Sequence, residues 1–269
     1  MSSSLQRVLK HPAVEPYVSA GLRGRLVRES ARFSVRELRH AVSTHVYRIR
    51  ASGLRVLITH GTPDVLTLDQ AFYQDVYEPP ATASAKLDRL GRPLRAIDLG
   101  ANIGMWGLWL HGRFPVARLT AVEPDPENAL KHRRQIALNE LGGKWELLQA
   151  AATCAEGPVA FTVGRATTGR IGEGDDRDTA EVAGVDSFSL LGDVDLLKID
   201  IEGAEWPLLR DPRFAAIEVP VVMLEYHPHG APSGSPEDDA RKALVGAGYE
   251  TLPLHGAADG TGIVWGWRP

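Results

Sequence analysis

The sequence predicts an α/β fold built on an open, doubly wound, mostly parallel sheet, with a helical and hairpin extension ahead of it. Three observations predict it. Apolar segments end in acids at Asp98, Glu123 and Asp200; helical stretches alternate with them; and the first segment is followed directly by Gly100 and Gly104 and then by the apolar run Met105-Trp106-Gly107-Leu108-Trp109-Leu110. Strand, tight turn and buried helix in that order open a nucleotide-binding βαβ unit. The other reading of Gly100 and Gly104 is that they only let a helix pack closely on its strand.

Length and composition set the frame. A chain of 269 residues with 43% hydrophobic content can bury a substantial core; it suits a domain over residues 81–269 preceded by an extension over residues 1–80. The first residues lack the apolar core of a signal peptide, and no run approaches the length of a membrane span. A soluble, cytoplasmic protein without a membrane partner is therefore expected. The single cysteine, Cys154, excludes an internal disulfide and suits a reducing compartment. The net charge of −4 hides an asymmetry: residues 1–50 carry ten Lys and Arg against three acids. Such a block faces an anionic partner or is a solvated face. The acidic balance of the whole chain weighs against a dedicated nucleic-acid binder.

In chain order, residues 5–42 read as several short helices, broken at Pro12, Pro16, Gly21 and Gly24. Residues 45–50 and 54–58 alternate around Ser52-Gly53, a hairpin signal. Residues 66–76 read as a helix and 81–92 as a polar connector. The strand ending at Asp98 leads into Asp98-x-Gly100-x-x-x-Gly104, with Asn102 where a dinucleotide fingerprint would carry a second glycine. The loop holds no Lys or Arg for a phosphate, and Asp98 would repel one. An acidic loop suits a ligand with a cationic end, such as S-adenosylmethionine.

The second strand, 118–123, ends in Glu123, where a carboxylate can accept both hydroxyls of a ribose. Asp125 is the other acid there, and it is expected to cap the helix over 127–141. Residues 145–152 read as a third strand and 159–164 as a short strand of hairpin character. The stretch 165–184 is a lid or a hairpin tip. The segment Leu196-Leu197-Lys198-Ile199-Asp200-Ile201-Glu202-Gly203-Ala204-Glu205 again delivers an acid at a strand end. Alternation puts Lys198, Asp200 and Glu202 on one side. Asp200 is the candidate catalytic group; Glu202 and Glu205 either hold substrate or charge the start of the next helix. The strand 219–227 ends in Glu225 and His227, and His227 is either a general base or a structural hydrogen-bonder. Ser235 is the expected N-cap of a helix over 236–247. Residues 249–254 and 262–267 read as an antiparallel pair at the sheet edge.

The motifs at residues 97–104, 121–128, Asp186 and 196–205 together resemble the FkbM-type S-adenosylmethionine-dependent methyltransferases, over about residues 70–230. The resemblance implies a class I methyltransferase fold, Rossmann-like, with a seven-stranded sheet whose last strand is antiparallel. It implies methyl transfer to a hydroxyl oxygen of a sugar or natural product, with a small-molecule acceptor as partner. The cofactor set of this reading is Asp98, Gly100, Asn102, Gly104, Glu123 and Ala151. Asp200 or His227 serves as base, and Glu202 and Glu205 hold substrate hydroxyls. Asp200, Glu202 and Glu225 could instead hold a divalent ion, but no metal-ligand spacing marks them, and no metal is assigned. A dinucleotide oxidoreductase and a catalytically idle, nucleic-acid-associated S-adenosylmethionine binder are the alternatives from other classes.

Overall fold

A computed structural model describes residues 15–162 and 179–269. The chain divides into two compact units, residues 1–77 and 78–269.

In the first unit, α1 (Glu15–Gly24) and α2 (Ser30–Leu38) precede a hairpin of β1 (Ser43–Arg48) and β2 (Arg55–His60), followed by α3 (Asp64–Phe72). The hairpin forms, but with Arg48 opposite Arg55 and not across a two-residue turn at Ser52-Gly53: the Ile49 N–H donates to Leu54 O at 2.8 Å, so residues 50–53 make the loop, and Gly53 supplies a positive φ of 76° there. Helix α3 starts two residues before the expected 66 and stops at Phe72. Asp64 belongs to its first turn and accepts the Thr59 N–H at 3.0 Å, which ties helix to strand. A polar chain crosses the unit: Tyr47 Oη lies 2.7 Å from His60 Nε2, and His60 Nδ1 lies 2.9 Å from Glu37.

The second unit opens with α4 (Ala81–Asp88), where a polar connector was expected. Its core is a seven-stranded sheet of β3 (Leu94–Leu99), β4 (Val116–Val122), β5 (Trp145–Leu148), β9 (Leu196–Ile199), β10 (Val221–Tyr226), β11 (Glu250–Leu254) and β12 (Gly262–Trp267), in the order β11-β12-β10-β9-β3-β4-β5. Strands β10, β9, β3, β4 and β5 run parallel, while β12 lies antiparallel between β10 and β11. This is the mostly parallel, seven-stranded architecture with an antiparallel last strand. The connecting helices are α5 (Met105–Arg113), α6 (Pro126–Leu138), α7 (Glu205–Arg210) and α8 (Pro236–Gly246). Strands β3, β9 and β10 are nearly continuous apolar runs because helices cover a parallel sheet on both faces.

The expected third strand, 145–152, is two strands. The Ala150 N–H turns back onto Leu148 O at 3.0 Å, which ends β5. The chain then enters a second, three-stranded sheet as β6 (Ala151–Thr153), parallel to β8 (Thr179–Asp186), which pairs antiparallel with β7 (Gly157–Thr162). Of the stretch read as lid or hairpin tip, residues 179–184 lie in β8, and residues 165–178 lie outside the described residues. Ser235 occupies the N-cap position of α8 without capping it; its hydroxyl donates to Asp238 at 2.9 Å instead.

Candidate active site

All the strand-end acids lie at the carboxyl edge of the parallel strands, where open α/β sheets bind ligands. Sheet order brings together residues distant in sequence. Strand β9 inserts between β3 and β10, with Asp98 opposite Lys198 and Leu224 opposite Ile199. The ends of these strands deliver Asp98, Asp200, Glu225 and His227 to one place.

Lys198 is the centre of the arrangement and is only 2% exposed. Its Nζ donates to Asp98 Oδ1 at 3.0 Å and to Gly100 O at 3.2 Å, and it pairs with Asp200 Oδ2 at 3.1 Å. One ammonium thus binds both acid-tipped strands to the glycine loop. Asp98 is fully buried, and its Oδ2 meets no partner among the described residues. Burial pushes its carboxyl up, against the lowering effect of Lys198. Among the sequence-derived candidates Lys198 had no role of its own. The signal was present: a lysine inside an apolar strand must be paired with an acid.

The loop is shaped by contacts on both sides. Gly100 has φ 80°, and a Cβ there would collide with the carbonyl oxygen of Asp200. Asn102 has φ 48°, a conformation that Asn tolerates, and its own Oδ1 accepts the Ile103 N–H at 2.7 Å. The Asn102 N–H donates to Glu123 Oε2 at 2.7 Å, and the Asp125 N–H donates to Glu123 Oε1 at 2.8 Å. Glu123 is therefore fixed beneath the loop, and burial pushes its carboxyl up to about 7. Asp125 caps α6, accepting the N–H groups of Glu127 and Asn128 at 2.8 and 3.0 Å. On the far side, His132 Nδ1 lies 3.1 Å from Asn102 O. Its ring fills the space beside Gly104, where a Cβ would stand 2.7 Å from it. Burial holds this imidazole down at about 3, so it is neutral. Sequence reasoning missed His132, because nothing in a helical pattern distinguishes a histidine that packs on a loop from a solvated one. Ala151 is buried, and its backbone pairs with Gly184 in the smaller sheet.

At the other end of the site stands His227, 5% exposed. Glu205 is fully buried, and its Oε1 accepts the His227 N–H at 2.8 Å and faces His227 Nδ1 at 3.2 Å. Its Oε2 accepts the Gly203 N–H at 2.8 Å. With both oxygens engaged and no exposure, Glu205 is not placed to hold a substrate hydroxyl. It orients His227, which corrects the role expected for it. Glu202 remains half-buried, with Oε2 3.5 Å from His227 Nε2. Burial alone would push the His227 imidazole down; the Glu205 hydrogen bond and the charges of Asp200, Glu205 and Glu202 outweigh it and lift it to about 9. Burial and the neighbouring Asp200 push Glu225 up to about 8. The cluster is crowded with carboxylates and retains protons at neutral pH.

No curated protein matches the chain. Among solved structures, the FkbM methyltransferase of Methylobacillus flagellatus KT is 14% identical with a TM-score of 0.48, covering 95% of this chain and 59% of its own. The magnesium protoporphyrin IX methyltransferase of Synechocystis PCC 6803, solved with bound SAM, is 11% identical with a TM-score of 0.44, covering 76% of this chain and 83% of its own. The precorrin-6y C5,15-methyltransferase of Geobacter metallireducens GS-15 is 15% identical with a TM-score of 0.42, covering 69% and 87%. The chain thus spans 59% of the length of the first of these. The sequence model of the FkbM methyltransferase domain matches residues 98–251, from the first strand-end acid to the start of the strand that follows α8. That span is more than half of the chain and contains the carboxylate cluster and the glycine loop: this protein belongs to the FkbM methyltransferase family.

Proposed function

We propose that the protein transfers a methyl group from S-adenosylmethionine to a hydroxyl oxygen of a small molecule, a sugar or other natural product. The observation that carries this reading is the electrostatic character of the glycine loop. It lies between Glu123 on one side and the Lys198–Asp200 pair on the other, with a buried Asp98 oxygen that has no partner among the described residues. Such a cradle repels a pyrophosphate and suits a ligand with an adenosine at one end and cationic groups at the other.

S-adenosylmethionine supplies an already activated methyl group on a sulfonium sulfur. In this reading Glu123, held by two backbone amides, accepts the ribose hydroxyls with its remaining lone pairs. Asn102 and Gly104 keep the loop backbone close to the ligand. The acceptor needs alignment and removal of a proton. Asp200, with a side chain 22% exposed beside the loop, accepts the hydrogen bond of the acceptor hydroxyl and then its proton. Glu202 binds a neighbouring hydroxyl. His227 carries a proton at neutral pH and so acts as a hydrogen-bond donor there, not as the base.

Calorimetric titration tests the reading. S-adenosylhomocysteine binds at one site per chain and NAD does not, and labelled methyl from S-adenosylmethionine appears on hydroxyl-bearing saccharides or polyketide-like acceptors. Binding of NAD without binding of S-adenosylhomocysteine overturns it.

A further inference from the structure

The trio Asp200, Glu202 and His227 has a second chemistry. Each offers one ligand atom, and these atoms lie within 4.8 Å of one another. Ligands of a divalent transition metal stand about 3 to 3.4 Å apart when adjacent and about 4.2 Å when opposite, given bonds of about 2.1 Å. Side-chain rotations that draw these atoms inward by about 1 to 2 Å would close the trio around an ion.

The trio differs from a surface patch of acids in the histidine. Its imidazole is 95% covered, and Glu205 Oε1 occupies the Nδ1 side at 3.2 Å. That leaves Nε2 as the atom presented to the carboxylates, in a 3.5 Å ion pair with Glu202 Oε2. A buried carboxylate on the far nitrogen is the standard support for a metal-binding histidine, because it fixes the tautomer and the ring orientation. Asp200 is restrained as well: Lys198 engages its Oδ2, and its carbonyl packs against Gly100. The three ligands come from the end of β9, the turn after it and the end of β10. They stand beside the glycine loop, where the Asp200 carbonyl lies against Gly100.

We propose that Asp200, Glu202 and the Nε2 atom of His227 bind one divalent transition-metal ion, with Glu205 as the positioning residue for His227. The mixed oxygen and nitrogen donor set favours an ion such as Mn²⁺ or Fe²⁺ over Ca²⁺. Glu225, the third acid named with Asp200 and Glu202 from sequence, is not a member of the trio. Binding displaces the His227 proton to solvent. With the ion bound, Asp200, Glu202 and His227 would meet the acceptor hydroxyl through it in place of their direct contacts, and it would lower that hydroxyl's pKa; this use rests on the methyltransferase reading, whereas the binding itself does not.

Mn²⁺ is the probe. Titrated into the whole protein, it loses its free six-line electron paramagnetic resonance signal up to one equivalent per chain. Glu202→Gln and His227→Gln each weaken this binding at least tenfold. Circular dichroism and S-adenosylhomocysteine titration of the same samples report folding and the cofactor site independently. Glu202→Gln, on a half-exposed turn, decides the matter if the buried His227 variant does not fold. No stoichiometric Mn²⁺ site, or a site of unchanged affinity in Glu202→Gln, overturns the proposal; S-adenosylhomocysteine binding in that same protein leaves the methyltransferase reading intact. Mn²⁺ binding without S-adenosylhomocysteine binding supports the metal site and overturns the other reading.

Discussion

Lys198 shows how one side chain sets the character of the site. Its ammonium reaches two acids and a carbonyl, so the carboxylates of Asp98 and Asp200 lie close together in a nearly dry environment. Removing either strand-end acid therefore has different consequences. Asp98 is fully buried, so its loss deprives Lys198 of a directly bonded counter-charge and disturbs the loop and the fold together. Asp200 retains exposure, and its loss leaves the Lys198–Asp98 pair in place. We expect Asp200→Asn to lower kcat by about 10²–10⁴-fold, the usual share of a general base, while S-adenosylhomocysteine affinity changes only a few-fold. Steady-state kinetics paired with calorimetry checks this, and unimpaired turnover removes Asp200 from the role of base.

Among the elements, α5 is fitted to the sheet by one glycine. In an exposed helix interior Gly→Ala stabilises by about 1 kcal/mol. Gly107, however, faces the indole of Trp145, and a Cβ there would collide with the ring. That indole is itself held between His111 and His132, with ring centroids 5.4 and 4.9 Å away. We expect Gly107→Ala to destabilise the protein by about 1–3 kcal/mol, the range for overpacking, measured by urea denaturation. A gain in stability would show that the ring can yield. The N-terminal helices illustrate a different point at this scale. The basic block of residues 1–50 is partly consumed inside its own unit. Arg23 pairs with Glu37 at 3.3 Å and Asp69 at 3.6 Å; Arg36 donates to Tyr47 Oη at 3.1 Å; Arg50 donates to the carbonyls of Arg25 and Val27. These side chains hold the hairpin to the helices, a use that counting charges does not reveal.

At the scale of the whole molecule, the cluster governs how stability depends on pH. Glu123, Glu225 and His227 all have folded-state values raised, to about 7, 8 and 9. For His227 the raised value is a stabilising contribution present below the ordinary 6.5 and lost as pH rises through 9. For the two carboxyls it is a burial cost that grows from about pH 4.5 until each is ionised. All three reduce stability as pH increases. His111 and His132, held down at about 4 and 3, act in the opposite direction, but only below 6.5. The melting temperature therefore falls between pH 6.5 and pH 9, and thermal melts across that window check it. A flat or rising curve contradicts the protonation pattern of the cluster. No helix among the described residues is long and apolar enough to cross a membrane.

The strand-end acids and the glycine spacing were legible in the sequence because a parallel sheet buried on both faces requires apolar strands. A polar group then stands out at its carboxyl end. The Asp125 cap, the existence of the hairpin and the antiparallel last strand were legible for similar local reasons. The tertiary structure alone decided which distant side chains meet. The break at Ala150 that carries Ala151 into a second sheet, the packing of His132 behind Gly104 and the placement of β9 between β3 and β10 depend on sheet order. No local pattern encodes that order. It turns Lys198 from one polar residue in an apolar run into the clamp of the site, and Glu205 from an expected substrate ligand into the carboxylate that orients His227.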